Sequence, residues 1–431
     1  MIKKTNFLRI TLMLSLLFLT IALILIFTGN VSGSGPLLIL FFMLLAIGFR
    51  GYNSTKGLSY TIWIFTAVTA AMFYPQYFTS VGSFQLKVLI VPLMQIIMFG
   101  MGSQMNFTDF TGVIRMPKGV IVGVVSHYII MPLVGFLIAN IFNFPPEIKA
   151  GIILIGCVPS GIASNVMSFL ARANLALAIT VGAISTILSP FVTPSLMKWL
   201  GGEYIEVNFW SMMLDILKMI ILPIVAGFIF NLFVKKQAGL RSKILQLISY
   251  MIIILLTSLV YMKSKNASSS AFMIHFVKMM LWFYFLPMVG AIIISKGIKS
   301  EGNFLGNVLS LVSMLGIAAI ITIITASGRE SLLQVGVLLL ITSLLHNLTG
   351  YSLGYSLAWI VKLPEKDRRT IAFEVGMQNG GLASGLAFQM GKVSTVGLAP
   401  AVFGPLMNIT GSILANWWRG KTLKDEKEQA E

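Results

Sequence analysis

Thr370-Ile-Ala-Phe-Glu374-Val-Gly376-Met-Gln378-Asn379-Gly380-Gly381 places a single acid inside an apolar segment interrupted by glycine. A carboxylate within the hydrocarbon layer of a membrane is costly unless it faces a cation or a watery cavity, so Glu374 reads as a site for an ion or a solute. The chain has 14 Asp and Glu residues; apart from Glu374, and Asp215 near the mouth of a helix, they fall in loops or tails.

The surroundings support a membrane setting. With 57% hydrophobic and 10% charged residues and a mean hydropathy of +0.90, there is too little polar surface to coat a water-soluble globule. Apolar runs at 8–28, 58–76, 87–103, 119–142, 175–198, 209–233, 244–262, 279–295 and 303–326 approach the roughly 20 residues that a bilayer-spanning helix needs. This excludes the alternating pattern of a membrane barrel and predicts an all-α polytopic membrane protein in the cell membrane. The run at 36–49 is short for a span and reads either as a second N-terminal helix or as a re-entrant or interfacial segment. The first run is longer than a signal-peptide core and lacks a small-residue cleavage site, so it reads as an uncleaved helix.

The net charge of +17 would suggest nucleic acid in a soluble protein, but the position of the charges gives another reason for it. Most of the 31 Lys and Arg residues, among them Lys3, Arg50, Lys235, Lys366 and Arg419, fall in loops on one side of the predicted spans. By the positive-inside rule that side, with both termini, is cytoplasmic. No nucleic-acid partner and no obligate protein partner is implied. Trp417 and Trp418 before Arg419 read as an interfacial aromatic belt. Cys157 is the only cysteine, which excludes an intrachain disulfide, and the three histidines are too scattered for metal-ligand spacing.

A second stretch resembles the first. Gly156-Cys-Val-Pro-Ser-Gly161-Ile-Ala-Ser-Asn165 leads into Thr180-Val-Gly-Ala-Ile-Ser-Thr-Ile-Leu-Ser-Pro190, as the Glu374 segment leads into Thr395-Val-Gly-Leu-Ala-Pro400. Paired interruptions in two halves point to inverted repeats with a site at the membrane midplane. The expected layout is two extra N-terminal helices at 1–57 and a first repeat at 58–200. A second repeat follows at 201–418, carrying an extra helical hairpin near 265–330, and then a cytoplasmic tail at 419–431. A helix broken in mid-membrane frees amides at one new end and carbonyls at the other, and these suit an anion and a cation respectively.

Phe99-Gly-Met-Gly102, Ile130-Met-Pro132, Pro159-Ser-Gly-Ile-Ala-Ser-Asn165, Leu170-Ala-Arg-Ala-Asn174 and Glu374-Val-Gly-Met-Gln-Asn379 resemble, in order, blocks of the bile acid:sodium symporter family. The resemblance covers about 58–262 and 331–418. It implies a ten-helix core of panel and core domains, two crossed discontinuous helices, about four additional helices, and two sodium sites. Ser164, Asn165 and Glu374 match the first site. Glu374, Gln378 and the carbonyls of Val375 and Met377 match the second. Asn379 matches a position facing the substrate and Gly161 lies in the matching block beside it, Ile162 replaces a common Thr beside the substrate, and Asn408 matches a position near the cavity or serves helix packing.

Where the family's first site draws hydroxyls from the following helix this chain has Ala178 and Gly182, and where the second takes a Gln amide it has His127. Sodium takes about five or six hard oxygen ligands, so the first site is expected to be weak. The implied function is uptake of a small organic anion, bile-acid-like or another carboxylate, by cation-coupled symport and alternating access, with sodium as the coupling ion. Proton-linked or uncoupled transport through His127 and Glu374 stands beside it; His127 reads either as a protonated counter-charge or as a neutral hydrogen-bond donor. A cation/proton antiporter is a remoter reading, since no second deep acid accompanies Asn165. An enzyme would need Ser160 or Ser164 paired with His127, and nothing in the spacing supports that.

Overall fold

The computed structural model describes residues 2–52, 55–105, 111–234 and 303–421, with Val277 and Leu281. The expected span at 244–262, almost all of that at 279–295, His275 and the tail beyond 421 lie outside the described residues. The described chain is helical apart from turns and one two-residue hairpin pairing Ser80–Val81 with Phe84–Gln85. Eight of its helices are long and apolar enough to cross a membrane.

Two N-terminal helices, α1 (Ile2–Phe27) and α2 (Val31–Phe49), form an antiparallel pair. The expectation of a short segment at 36–49 is corrected: α2 has 19 residues and begins at Val31. Asn30 caps it, accepting a hydrogen bond from Gly33 N at 3.1 Å, so Pro36 lies in the second turn instead of opening the helix. Large apolar side chains such as Met13, Leu16 and Ile24 stay exposed on α1, the composition of a surface in contact with lipid.

The remaining helices pack as two groups. One holds α3 (Ser59–Phe73), α4 (Ile90–Gln104), α10 (Leu222–Val234) and α11 (Asn303–Ser327). The other holds α5 (Pro117–Ile141), α6 (Pro146–Cys157), α7 (Ala163–Leu170), α8 (Leu175–Leu196), α12 (Arg329–Ile360), α13 (Glu365–Gly376), α14 (Gly380–Gln389) and α15 (Leu398–Arg419). α9 (Phe209–Ile216) continues into α10 through a π-helical turn at Leu217–Ile221. α11, the described half of the expected extra hairpin, lies along α3 and α4, and Tyr60 OH donates to Met314 O at 2.8 Å.

Small residues let the helices of the first group approach to backbone contact. A Cβ on Gly102 would sit 2.0 Å from Ile224 O, and one on Gly227 would sit 2.1 Å from Phe99 O. This is a physical reason for the Phe99-Gly-Met-Gly102 motif, because lipid supplies no hydrophobic drive and helix association depends on close packing.

In the second group, each broken helix is tied at its outer end to the other. Asn174, just after α7, donates from its amide to Asp367 Oδ1 at 2.8 Å and from its backbone N–H to Thr370 Oγ1 at 2.9 Å. At the opposite end Lys392, just after α14, pairs with Glu147 in the first turn of α6. Arg369 is the most enclosed of these ties. Its guanidinium, 2.9 Å from Glu365, also donates to the carbonyls of Ala171 and Trp418 at 3.3 and 3.2 Å. Trp418 therefore turns inward, packed edge-on against Phe373 with ring centroids 5.3 Å apart. Of the two tryptophans expected in an aromatic belt, only Trp417 is exposed.

Removing Arg369 would take the side-chain donor from the carbonyl of Ala171 and leave Glu365, which is one-fifth exposed, to Tyr355 OH and the more distant Arg368. Arg369→Ala is expected to destabilise the protein by about 1–3 kcal/mol, read as a lowered unfolding midpoint in detergent. Arg419→Ala, on an exposed side chain, is expected to leave the midpoint unchanged.

Candidate functional site

The two helix breaks have different local causes. α6 ends at Cys157 because Pro159 has no N–H and disfavours helical backbone in the residue before it, and Val158 is extended with ψ 157°. α13 ends at Gly376, and α14 restarts under a cap in which Asn379 Oδ1 accepts from Leu382 N at 3.0 Å.

The two unwound segments cross and pair. Gly161 N donates to Met377 O at 3.0 Å and Asn379 N to Pro159 O at 2.9 Å, an antiparallel bridge between Ser160 and Gln378. The approach is so close that a Cβ on Gly161 would stand 2.6 Å from Gln378 O.

Glu374, in the last turn of α13, is wholly buried beside this crossing. Ser160 Oγ donates to its Oε2 at 2.6 Å and Ser164 Oγ to its Oε1 at 2.5 Å. Among the described residues, three buried side-chain polar atoms lack a hydrogen-bond partner: Asn165 Oδ1, Ser168 Oγ and Gln378 Oε1. All three belong to the broken helices. Buried polar atoms are rarely left unpaired, and two of these are acceptor-only amide oxygens, one on the residue after Ser164 and one on the residue bridged to Ser160, so the donor set fits a hard cation. Gln378 reaches this state because its Nε2 donates to Val375 O at 2.8 Å, leaving Oε1 free. The carbonyls of Val375 and Met377 each accept one hydrogen bond and keep a second lone pair.

His127 in α5 is buried beside the site, but its ring does not bond the Glu374 carboxylate. Nδ1 lies 2.8 Å from the backbone oxygen of Glu374 and Nε2 lies 2.9 Å from Val158 O. The ring thus spans carbonyls at the C-terminal ends of both first half-helices, where partial negative charge collects. A neutral imidazole donates one hydrogen and a charged one donates two. Asn347 serves a third carbonyl, donating to Gly376 O at 2.8 Å, and His346 Nε2 lies 2.9 Å from Met131 O. Both histidines and Asn347 are therefore ties between helices.

Asn379 is 8% exposed and its side-chain oxygen is taken up by the cap on α14. Ile162 and Asn408 are half-buried. From sequence Ser160 stands as a nucleophile that no spacing supports, or as a ligand or helix cap; the structure gives it a direct hydrogen bond to Glu374.

Residues 91–271 match the model of the sodium bile acid symporter family. The chain is 33% identical over 378 residues to YocS, an uncharacterized sodium-dependent transporter of Bacillus subtilis (strain 168), a match covering 88% of this chain and 96% of that protein. The protein belongs to the sodium bile acid symporter family. Further relatives in plants are named probable sodium/metabolite cotransporter BASS1, chloroplastic. That of Arabidopsis thaliana is 29% identical over 324 residues, covering 75% of this chain and 65% of the relative. That of Oryza sativa subsp. japonica is 26% identical over 375 residues, covering 86% and 74% respectively. Family membership together with the long apolar helices makes this chain a multi-pass membrane transporter and not an enzyme. The site agrees, because Ser160 and Ser164 turn their hydroxyls to a carboxylate and not to a histidine base.

The crossing leaves no room for a methyl group at Gly161. Gly161→Ala is expected to cost about 1–3 kcal/mol by forcing the paired segments apart, seen as a lower unfolding midpoint. Gly404→Ala, where a Cβ would meet only Ile321 Cδ1 at 3.8 Å, is expected to be silent in the same measurement.

Proposed function

We propose that this protein takes up a small organic anion by symport with sodium, through alternating access of a site at the crossing of α6–α7 and α13–α14. The observation that carries the reading is Glu374, wholly buried and held by Ser160 and Ser164 of the opposite broken helix. A carboxylate so placed needs a cation when it is charged, and the unpaired oxygens of Asn165 and Gln378 supply further ligands.

Sodium occupies two positions in this reading. One uses Ser164, Asn165 and Glu374; the other uses Glu374, Gln378 and the carbonyls of Val375 and Met377, with His127 closing its rim. The anion lies at the amide ends of α7 and α14, whose positive partial charge faces the breaks, near Gly161, Ile162, Asn379 and Asn408. The two halves, 58–200 and 201–418, are inverted repeats. Supporting this, α6 and α13 each run 12 residues, follow a proline cap and carry Glu147 or Glu365 in the first turn. The excess of basic residues in the loops on one side supports a cytoplasmic position for both termini in the cell membrane.

The two helix groups rock against each other during transport. Gly381 and Gly385, one turn apart on α14, face the sulfur atoms of Met94 and Met219, at 2.9 and 3.1 Å from where a Cβ would stand. Flexible thioethers over bare glycine make a contact that can slide at little cost.

Proton coupling is the second reading, favoured by the two carbonyls that face the two ring nitrogens of His127. In proteoliposomes supplied with candidate carboxylates, a sodium gradient is expected to drive uptake and a pH gradient alone is not. Glu374→Gln is expected to lower uptake at least a hundredfold, the scale of roughly 3 kcal/mol. Uptake driven by pH alone and lost in His127→Gln would transfer the coupling to the proton.

A further inference from the structure

α8 presents a bare face to Glu374. Gly182 has no side chain, and a Cβ built on it would lie 3.5 Å from Ser160 Oγ and 3.6 Å from Glu374 Oε2, with no other contact within 4 Å. One turn earlier Ala178, fully buried, offers only a methyl group. Helix α8 therefore brings no hydroxyl to the carboxylate from these two positions. The oxygen on that side of Glu374 comes from the unwound segment across the site, where Ser160 Oγ stands 2.6 Å from Oε2.

Ser160 is held there by backbone geometry. It is the residue bridged to Gln378, between the hydrogen bonds of Gly161 N to Met377 O and of Asn379 N to Pro159 O. The pairing of the two broken helices thus aims its hydroxyl at the carboxylate, while Ser164, in the first turn of α7, takes the other carboxylate oxygen. A hydroxyl has one hydrogen and two lone pairs, so an oxygen packed this close to a carboxylate can coordinate a hard cation while donating its hydrogen elsewhere.

We propose that Ser160 is a ligand of the sodium ion bound at Glu374, its hydroxyl supplying the oxygen that α8 lacks at Gly182. The proposal rests on the sodium-coupled reading. With Ser160 included, the first position has four side-chain donors: the Glu374 carboxylate, the hydroxyls of Ser160 and Ser164, and the unpaired amide oxygen of Asn165. The weak site expected from Ala178 and Gly182 is thereby rebuilt from the opposite side.

The test uses purified full-length protein and sodium alone, with potassium chloride holding ionic strength constant, and reads the unfolding midpoint against sodium concentration. Bound sodium raises the midpoint by linkage, so the titration reports its affinity without transport. Ser160→Ala is expected to raise the sodium concentration for half-maximal stabilisation by about tenfold, the scale of one lost ligand. Gly182→Ser places a hydroxyl in the space beside Glu374, where its Cβ makes only ordinary contacts. The double variant Ser160→Ala, Gly182→Ser is therefore expected to return to within about threefold of the parent affinity. An unchanged sodium response in Ser160→Ala overturns the proposal, as does a double variant no tighter than Ser160→Ala, since a merely structural loss would not be repaired from α8. A parent response that survives in Glu374→Gln overturns the sodium reading itself. Loss in Glu374→Gln with an unchanged Ser160→Ala removes only the role of Ser160.

Discussion

The structure depends on the two backbone hydrogen bonds by which the unwound segments of α6–α7 and α13–α14 pair, Gly161 N to Met377 O and Asn379 N to Pro159 O. A helix interrupted in a bilayer exposes backbone groups that no water is present to satisfy. Two interruptions that cross can satisfy each other. The pairing requires a backbone approach that only glycine allows at position 161, and it brings Ser160 and Ser164 of one break against Glu374 of the other.

Side chains from neighbouring helices take up what the pairing leaves. His127 lies between the carbonyls of Val158 and Glu374, Asn347 holds the carbonyl of Gly376, and Thr193 donates to that of Cys157. These polar residues cost little in place, because each meets a group that would otherwise be unpaired in an apolar interior. Among the described residues, the buried side-chain oxygens left without partners, on Asn165, Ser168 and Gln378, are confined to the broken helices.

Much of this was legible in the chain itself. Glu374 as the lone deep acid, the two breaks and the all-helical architecture follow from hydropathy and from where glycine, proline and asparagine fall. The short reading of α2 fails because an apolar run drawn from Pro36 omits the first turn, which the cap at Asn30 sets. The sequence expects Trp418 at the membrane interface, yet it turns inward to pack on Phe373 and to receive Arg369 on its carbonyl. Periodicity does not report such a choice, because both tryptophans lie in the last turn of one helix and only the neighbouring elements separate them.

Sequence alone determined that this chain crosses a membrane as helices and that two of them break around one acid, since both results rest on local chemistry: transfer of side chains into hydrocarbon and the backbone limits of proline and glycine. Only the tertiary structure decided which atoms meet at the crossing. It placed the ring of His127 on a carbonyl of Glu374 and not on the carboxylate, and it set the hydroxyl of Ser160 beside the gap at Gly182. Those contacts join residues up to 247 positions apart, and helices packed at backbone distance fix them through geometry that no single segment contains.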